Sequence, residues 1–249
     1  MADNDEIDEL CDVPNWMFEY DKREEKKQSC IVNHLKFTDK LIVKRVYLLG
    51  RIIASVFESA ALPYWTSGGT TLGAVRHGGL IPWDDDIDLC LLERDENHFL
   101  SLKNTLSENG LVVWKAHHFG YRIYHQSESV PMTGDSSIIG LEYHYPFCDI
   151  FLMSTKKNKY ILAYKSARVL YPDEWYYVKD IESCSLQKFG DYMLPVPANH
   201  NQYLNRTYGD DWSTVGSTHN YNHVMKTRMQ SETFSLDDSL LCSPAKPFY

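Results

Sequence analysis

The chain has 249 residues, a formal net charge of -9, and 43% hydrophobic and 13% aromatic residues, a balance that supports a sizeable folded core and excludes a disordered or fibrous chain. Its cations are not massed on any stretch: Lys22, Arg23, Lys26 and Lys27 alternate with Glu24 and Glu25, which argues against nucleic acid as a partner. The apolar run from Leu41 to Phe57 is broken by Lys44, Arg45 and Arg51, and the chain starts with an acidic Met1-Ala2-Asp3-Asn4-Asp5-Glu6, so neither a transmembrane segment nor a secretion signal is expected.

Residues 1–35 read as a polar, acidic extension whose aromatic cluster, Trp16, Phe18 and Tyr20, packs onto the body. A helix is predicted from Thr38 to Ala60, with Ile42, Val46, Leu49, Ile53, Val56 and Phe57 on one face and Pro63 ending it. A short strand, Leu62-Pro63-Tyr64-Trp65, then enters the turn Ser67-Gly68-Gly69-Thr70, and residues 71–76 form a short helix. Strand, glycine turn and helix start make a phosphate cradle: glycines admit an anion to backbone N–H groups, the Ser67 and Thr70 hydroxyls add donors, and the helix start contributes positive charge. Arg76 closes the segment as a partner for phosphate oxygens. Neither a P-loop nor a dinucleotide-binding glycine pattern is present.

After Ile81-Pro82-Trp83 come Asp84, Asp85, Asp86 and Asp88, running into Leu89-Cys90-Leu91-Leu92. On a strand, Asp84, Asp86 and Asp88 share one face while Ile87, Leu89 and Leu91 share the other. Asp86 and Asp88 would lie roughly 6.6 Å apart along it, close enough for both to ligate one Mg²⁺ or Mn²⁺. Asp84, at the strand mouth, is a weaker ligand candidate. A solvated Asp-rich turn is the alternative, but it would not be expected to carry such apolar flanks.

A second helix is predicted from Asp95 to Glu108, stopped by Asn109-Gly110; residues 111–114, 121–124 and 146–151 read as strands, the last with Asp149 alone among apolar neighbours. Residues 160–169 fit either period. A hairpin is expected around Gly190-Asp191 and a last helix from Asn199 to Tyr208 with Asn199 as N-cap, and past Trp212 the chain is polar and loosely held. The six cysteines form no C-x-x-C pair, so zinc is not expected, and Cys90 and Cys148 read as small buried hydrophobes. His219-x-x-x-His223 lacks the glutamate of a metalloprotease motif. Reduced cysteines point to a cytoplasmic location, while the sequon Asn205-Arg206-Thr207 leaves a lumenal one open.

The stretch GGTTLGAVRHGGLIPWDDDIDL resembles the signature of the LicD and fukutin family, phosphotransferases of the nucleotidyltransferase-fold superfamily. Leu194-Pro195-Val196-Pro197, Tyr203-Leu204 and Tyr208-Gly209-Asp210-Asp211-Trp212 resemble its closing segment, so the likeness runs from Leu62 to Trp212. It implies an α/β (α+β) nucleotidyltransferase fold, a mixed central sheet flanked by helices, with a catalytic domain over 36–215 followed by a tail over 216–249. It also implies that Asp149 joins Asp86 and Asp88 as the catalytic and metal-binding set. If Asp149 does not serve, Glu142, Asp173 and Asp180 are the remaining third acids. The implied reaction moves a phosphocholine or alditol phosphate group from a CDP-linked donor to a hydroxyl of a glycan or similar acceptor, whose pocket would come from residues 114–144 and 160–177. A true nucleotidyltransferase acting on a small molecule would use the same carboxylates, and a non-catalytic binding protein could retain the fold.

Overall fold

The structure, a computed structural model, describes residues 35–131, 144–218, 221–222, 227–228, 230–236 and 241–248. Trp16, Phe18 and Tyr20, Cys11 and Cys30, Glu142, and the pair His219 and His223 lie outside the described residues.

Helix α1 (Lys40–Ser59) starts where Asp39 accepts the Leu41 N–H at 2.8 Å, an N-cap that the amphipathic run itself did not reveal. It buries Val46, Leu49, Ile53 and Phe57 from one face, each worth about 1.5 to 3 kcal/mol when fully removed from water. Then come β1 (Tyr64–Thr66), α2 (Gly68–Arg76) and β2 (Ile87–Leu92). The helix expected from Asp95 is divided: after a 3₁₀ turn at Glu93–Asp95, α3 (Glu96–Ser101) ends at Leu102, whose N–H reaches back to Phe99 O, and α4 (Lys103–Glu108) follows. Next are β3 (Leu111–Ala116), β4 (Gly120–His125), β5 (Val130–Pro131), β6 (His144–Tyr145) and β7 (Phe147–Lys156). The ambiguous stretch resolves into β8 (Lys159–Leu162) and α5 (Lys165–Leu170), followed by β9 (Trp175–Tyr177) and α6 (Val178–Glu182). The expected hairpin forms as β10 (Ser185–Phe189) and β11 (Tyr192–Val196), and α7 (His200–Tyr208) comes last. Asn199 precedes α7 as expected, but its side chain bonds Gln202 rather than a helix amide.

The central sheet has the order β1-β2-β7-β4-β3, with β8 on β7 and β9 on β8. Among the described residues of this sheet, β2 and β7 run parallel and the other neighbours are antiparallel. The mixed α/β architecture expected from sequence is therefore present. Alternation along β2 and β7 divides two cores. Ile87, Leu89, Leu91, Cys148, Ile150 and Leu152 pack with α1 and Leu106 of α4. Cys90, Leu92, Phe151 and Met153 face the other way, toward Trp65, Leu72 of α2 and Leu204 of α7.

The described part of the segment after Trp212 is fastened down, unlike the loose tail expected. Residues 215–217 pair antiparallel with 233–235, Phe234, Leu236, Leu241 and Ala245 are buried, and the Ala245 N–H donates to Leu80 O. These apolar residues are scattered in a polar stretch with no helical or strand period, which hides them from a pattern reading. Among the described residues no helix is long and apolar enough to cross a membrane.

Candidate functional site

Because β2 begins at Ile87, only Asp88 of the four aspartates lies in a strand; Asp84 closes a turn at Pro82-Trp83, and Asp85 and Asp86 are irregular chain between that turn and the strand. That corrects the expectation of one alternating strand from Asp84 onward. The turn is held by the Asp84 N–H donating to Ile81 O and the Asp85 N–H to Asp84 Oδ1 at 3.0 Å. Asp84, expected at an open mouth, is only 5% exposed. Carboxylate oxygens of Asp84, Asp85 and Asp86 lie within 4.8 Å of one another, a group that could hold a metal ion. Asp85 also accepts from the Tyr145 hydroxyl at 2.7 Å.

Asp149 is the register partner of Asp88 across the parallel β2–β7 pair, so the two carboxylates leave the same face of strands about 4.8 Å apart. On its other side Asp149 is the partner of Arg122 on β4. Arg122 forks onto it, Nε to Oδ1 and Nη2 to Oδ2, both at 2.7 Å. The guanidinium carbon also lies 3.6 Å from the centroid of the Phe147 ring. Asp88, Asp149 and Arg122 thus form one row across three strands. Arg122 was missed from sequence, although a lone cation inside Tyr121-Arg122-Ile123-Tyr124 carries the same signal as the lone acid at Asp149.

Gly68 and Gly69 are the first turn of α2 rather than a loop ahead of it. A Cβ on Gly68, whose φ is +48°, would lie 2.9 Å from Asp88 Oδ2, and one on Gly69 would lie 2.7 Å from Asp84 Oδ2. The glycines therefore let two carboxylates press against the positive end of a helix. Much of the expected phosphate cradle is engaged within the protein: the Gly68 N–H donates to the Tyr203 hydroxyl at 2.8 Å, Ser67 Oγ donates to Glu174 at 2.7 Å, and Thr70 Oγ1 accepts the Asp88 N–H at 2.8 Å. Glu174 gathers the hydroxyls of Ser67, Tyr176 and Tyr203 behind this turn. Burial pushes its carboxyl up, against those hydrogen bonds. Sequence reading did not mark Glu174, because two of its three partners, Ser67 and Tyr203, come from distant segments.

Arg76 closes α2 at the far end, about 12 Å along the helix from Gly68. Its Nη1 donates to the carbonyls of Trp212 and Val215, so this guanidinium fastens the C-terminal segment while its charge still acts on Asp84. Burial lowers its pKa to about 10. His77 beside it is lowered to about 4, chiefly by burial and then by the Arg76 charge.

Asp88 is held well above the usual carboxylate range by burial, then by the charges of Asp86, Asp149, Asp84 and Glu174. A group of acids crowded this closely is relieved by a cation, and an all-oxygen donor set suits a hard divalent ion rather than zinc. Cys90 and Cys148 are buried free thiols pushed up by burial, which suits packing rather than ligation.

A family model described as LicD/FKTN/FKRP, nucleotidyltransferase domain, matches residues 61–199. An uncharacterized protein of Rickettsia typhi is 28% identical over 190 residues, covering 75% of this chain and 53% of that relative. Ribitol 5-phosphate transferase FKRP of Homo sapiens is 34% identical over 86 residues, covering 32% of this chain and 17% of FKRP. Lipopolysaccharide cholinephosphotransferase LicD of Haemophilus influenzae is 54% identical over 39 residues, covering 16% of this chain and 14% of LicD. The chain spans only part of the length of each of these relatives.

Proposed function

This chain belongs to the LicD/FKTN/FKRP family, and on that premise we propose that it is a metal-dependent phosphotransferase of nucleotidyltransferase fold. In this reading it moves a phosphocholine or alditol phosphate type of group from a CDP-linked donor to a hydroxyl of a glycan or similar acceptor. The catalytic domain is residues 36–215, and the location is cytoplasmic. The observation that carries the reading is the register row in which Asp88 meets Asp149, with the aspartate turn at its edge and the α2 N-terminus against it.

Asp84, Asp86, Asp88 and Asp149 would hold Mg²⁺ or Mn²⁺, which when bound supplies charge stabilisation on the donor diphosphate. Asp149, held by Arg122, would also orient the acceptor hydroxyl. Of the expected cradle, Ser67 and the Gly68 amide hold the turn in place, and phosphate contact falls to the first-turn amides of Gly69 and Thr70, which have no partner inside the helix. The turn and α2 direct a partial positive charge toward the phosphate without adding a side chain.

Phosphorus NMR with CDP-choline, CDP-ribitol and CDP-glycerol, each with Mg²⁺ and a glycan acceptor, tests this. Release of CMP from one donor is the expected result. Pyrophosphate released from CTP instead would turn the assignment to nucleotidyl transfer, and neither product would leave a binding protein.

A further inference from the structure

Arg122 has a geometry that the proposed reaction does not by itself require. It is nearly buried, with 12% of its side chain exposed against 11% for Asp149, and it meets both carboxylate oxygens at once. Phe147, two residues before Asp149 on the same face of β7, lies under the guanidinium at 3.6 Å. Phe119 lies at 5.9 Å. A lysine would carry the same charge to this place but could not match two oxygens in one plane. The row therefore contains a fixed cation whose position is set by main-chain register, by a fork and by an aromatic ring.

We propose that Arg122 is a positioning residue that pins the Asp149 carboxylate beside Asp88 and cancels one negative charge of the acid row, holding the affinity for a divalent ion below what the aspartates alone would give. This rests on the reading of the row as a divalent-ion site. An ion that enters and leaves with an anionic diphosphate must not be held too tightly by the protein. Four carboxylates without a compensating cation would hold it more tightly. The fork also stops Asp149 from rotating toward the ion as a chelating pair, since both oxygens already accept from the guanidinium.

The test is a Mn²⁺ titration followed by electron paramagnetic resonance on the full chain without substrate, comparing wild type, Arg122→Gln and Arg122→Lys. Arg122→Gln should bind Mn²⁺ about tenfold more tightly, because loss of a unit positive charge from the row removes its repulsion of a divalent cation. Arg122→Lys, which keeps the charge, should stay close to wild type in Mn²⁺ affinity. With donor and saturating Mn²⁺ both variants should lose kcat with little change in donor KM, because both lose the fork. In an Asp149→Asn background, where loss of Arg122 does not strand the Asp149 carboxylate, Arg122→Gln should tighten Mn²⁺ again. Unchanged or weaker Mn²⁺ binding on loss of the Arg122 charge, with wild type binding normally, overturns this inference alone. No Mn²⁺ binding by wild type overturns the metal reading and this inference with it.

Discussion

On β2, Ile87, Leu89 and Leu91 are each at most 1% exposed and meet α1, while Asp88 between them turns to the opposite face and meets Asp149, Asp86 and the glycine end of α2. The α1 face gains stability from every group that it buries. The acid face is strained, burial first and then the neighbouring acids raising Asp88 well above its usual range, and it is held in place by neighbours: Arg122 on Asp149, Tyr203 on Gly68, and Ser67 and Tyr203 on Glu174. One strand thus carries a stabilising face and the face proposed to be functional, and substitutions on the two should separate stability from activity.

The largest expected effect is on activity. Asp88→Asn or Asp86→Asn should lower phosphotransfer by about a thousandfold or more, the equivalent of several kcal/mol of lost charge stabilisation. Thermal stability without metal should be unchanged or raised, because a charge is taken out of a repelling group. A variant that keeps near-normal turnover would mean that the acid face is not the reacting one. Leu89→Ala should do the reverse, costing about 3 to 5 kcal/mol in denaturant unfolding while leaving the rate per folded molecule near wild type. If it lowered the rate as strongly as the stability, the two faces would not be separable.

The third expectation uses pH. In the fold His77 is lowered from 6.5 to about 4, so on acidification the unfolded chain takes up this proton first. Its contribution is complete above pH 6.5 and is lost as pH falls toward about 4, by at most about 3 kcal/mol. Asp88 acts with the opposite sign, since a carboxyl raised in the fold gains stability as it is protonated. Urea midpoints across this range should fall with pH in wild type, and the fall should be shallower in His77→Gln. An identical slope in both would show that His77 is not the group responsible. The neutral ring is fixed by its partners: Nε2 meets Leu241 O at 2.8 Å and Nδ1 faces the Arg76 Nε–H.

Periodic features were the ones readable in advance. Helix α1, the β10–β11 hairpin and the strand around Asp149 follow from repeating apolar positions and a Gly-Asp turn, signals confined to a few neighbouring residues. The Asp-rich turn was legible as chemistry but not as geometry, because where β2 starts depends on its pairing with β7 and not on its own composition. Arg122, Glu174 and Tyr203 were not assigned to the site, since each acquires its role only from a partner far away in sequence. Arg76 shows the converse. Next to the signature it reads as a phosphate ligand, whereas its hydrogen bonds go to the carbonyls of Trp212 and Val215 and its charge acts on Asp84.

Strand β7 brings Asp149 between Asp88 and Arg122 through main-chain pairing on both of its edges, and none of the three depends on the length or content of the chain that joins one strand to the next. The register of the row is thus set by strand pairing, while the connection between β4 and β7 contributes Tyr145, whose hydroxyl bonds Asp85 at the edge of the row. In the proposed function, a related scaffold could take a different acceptor through changes outside these three strands. Shifting β7 by a single residue, in contrast, would turn Asp149 toward α1 and dismantle the row.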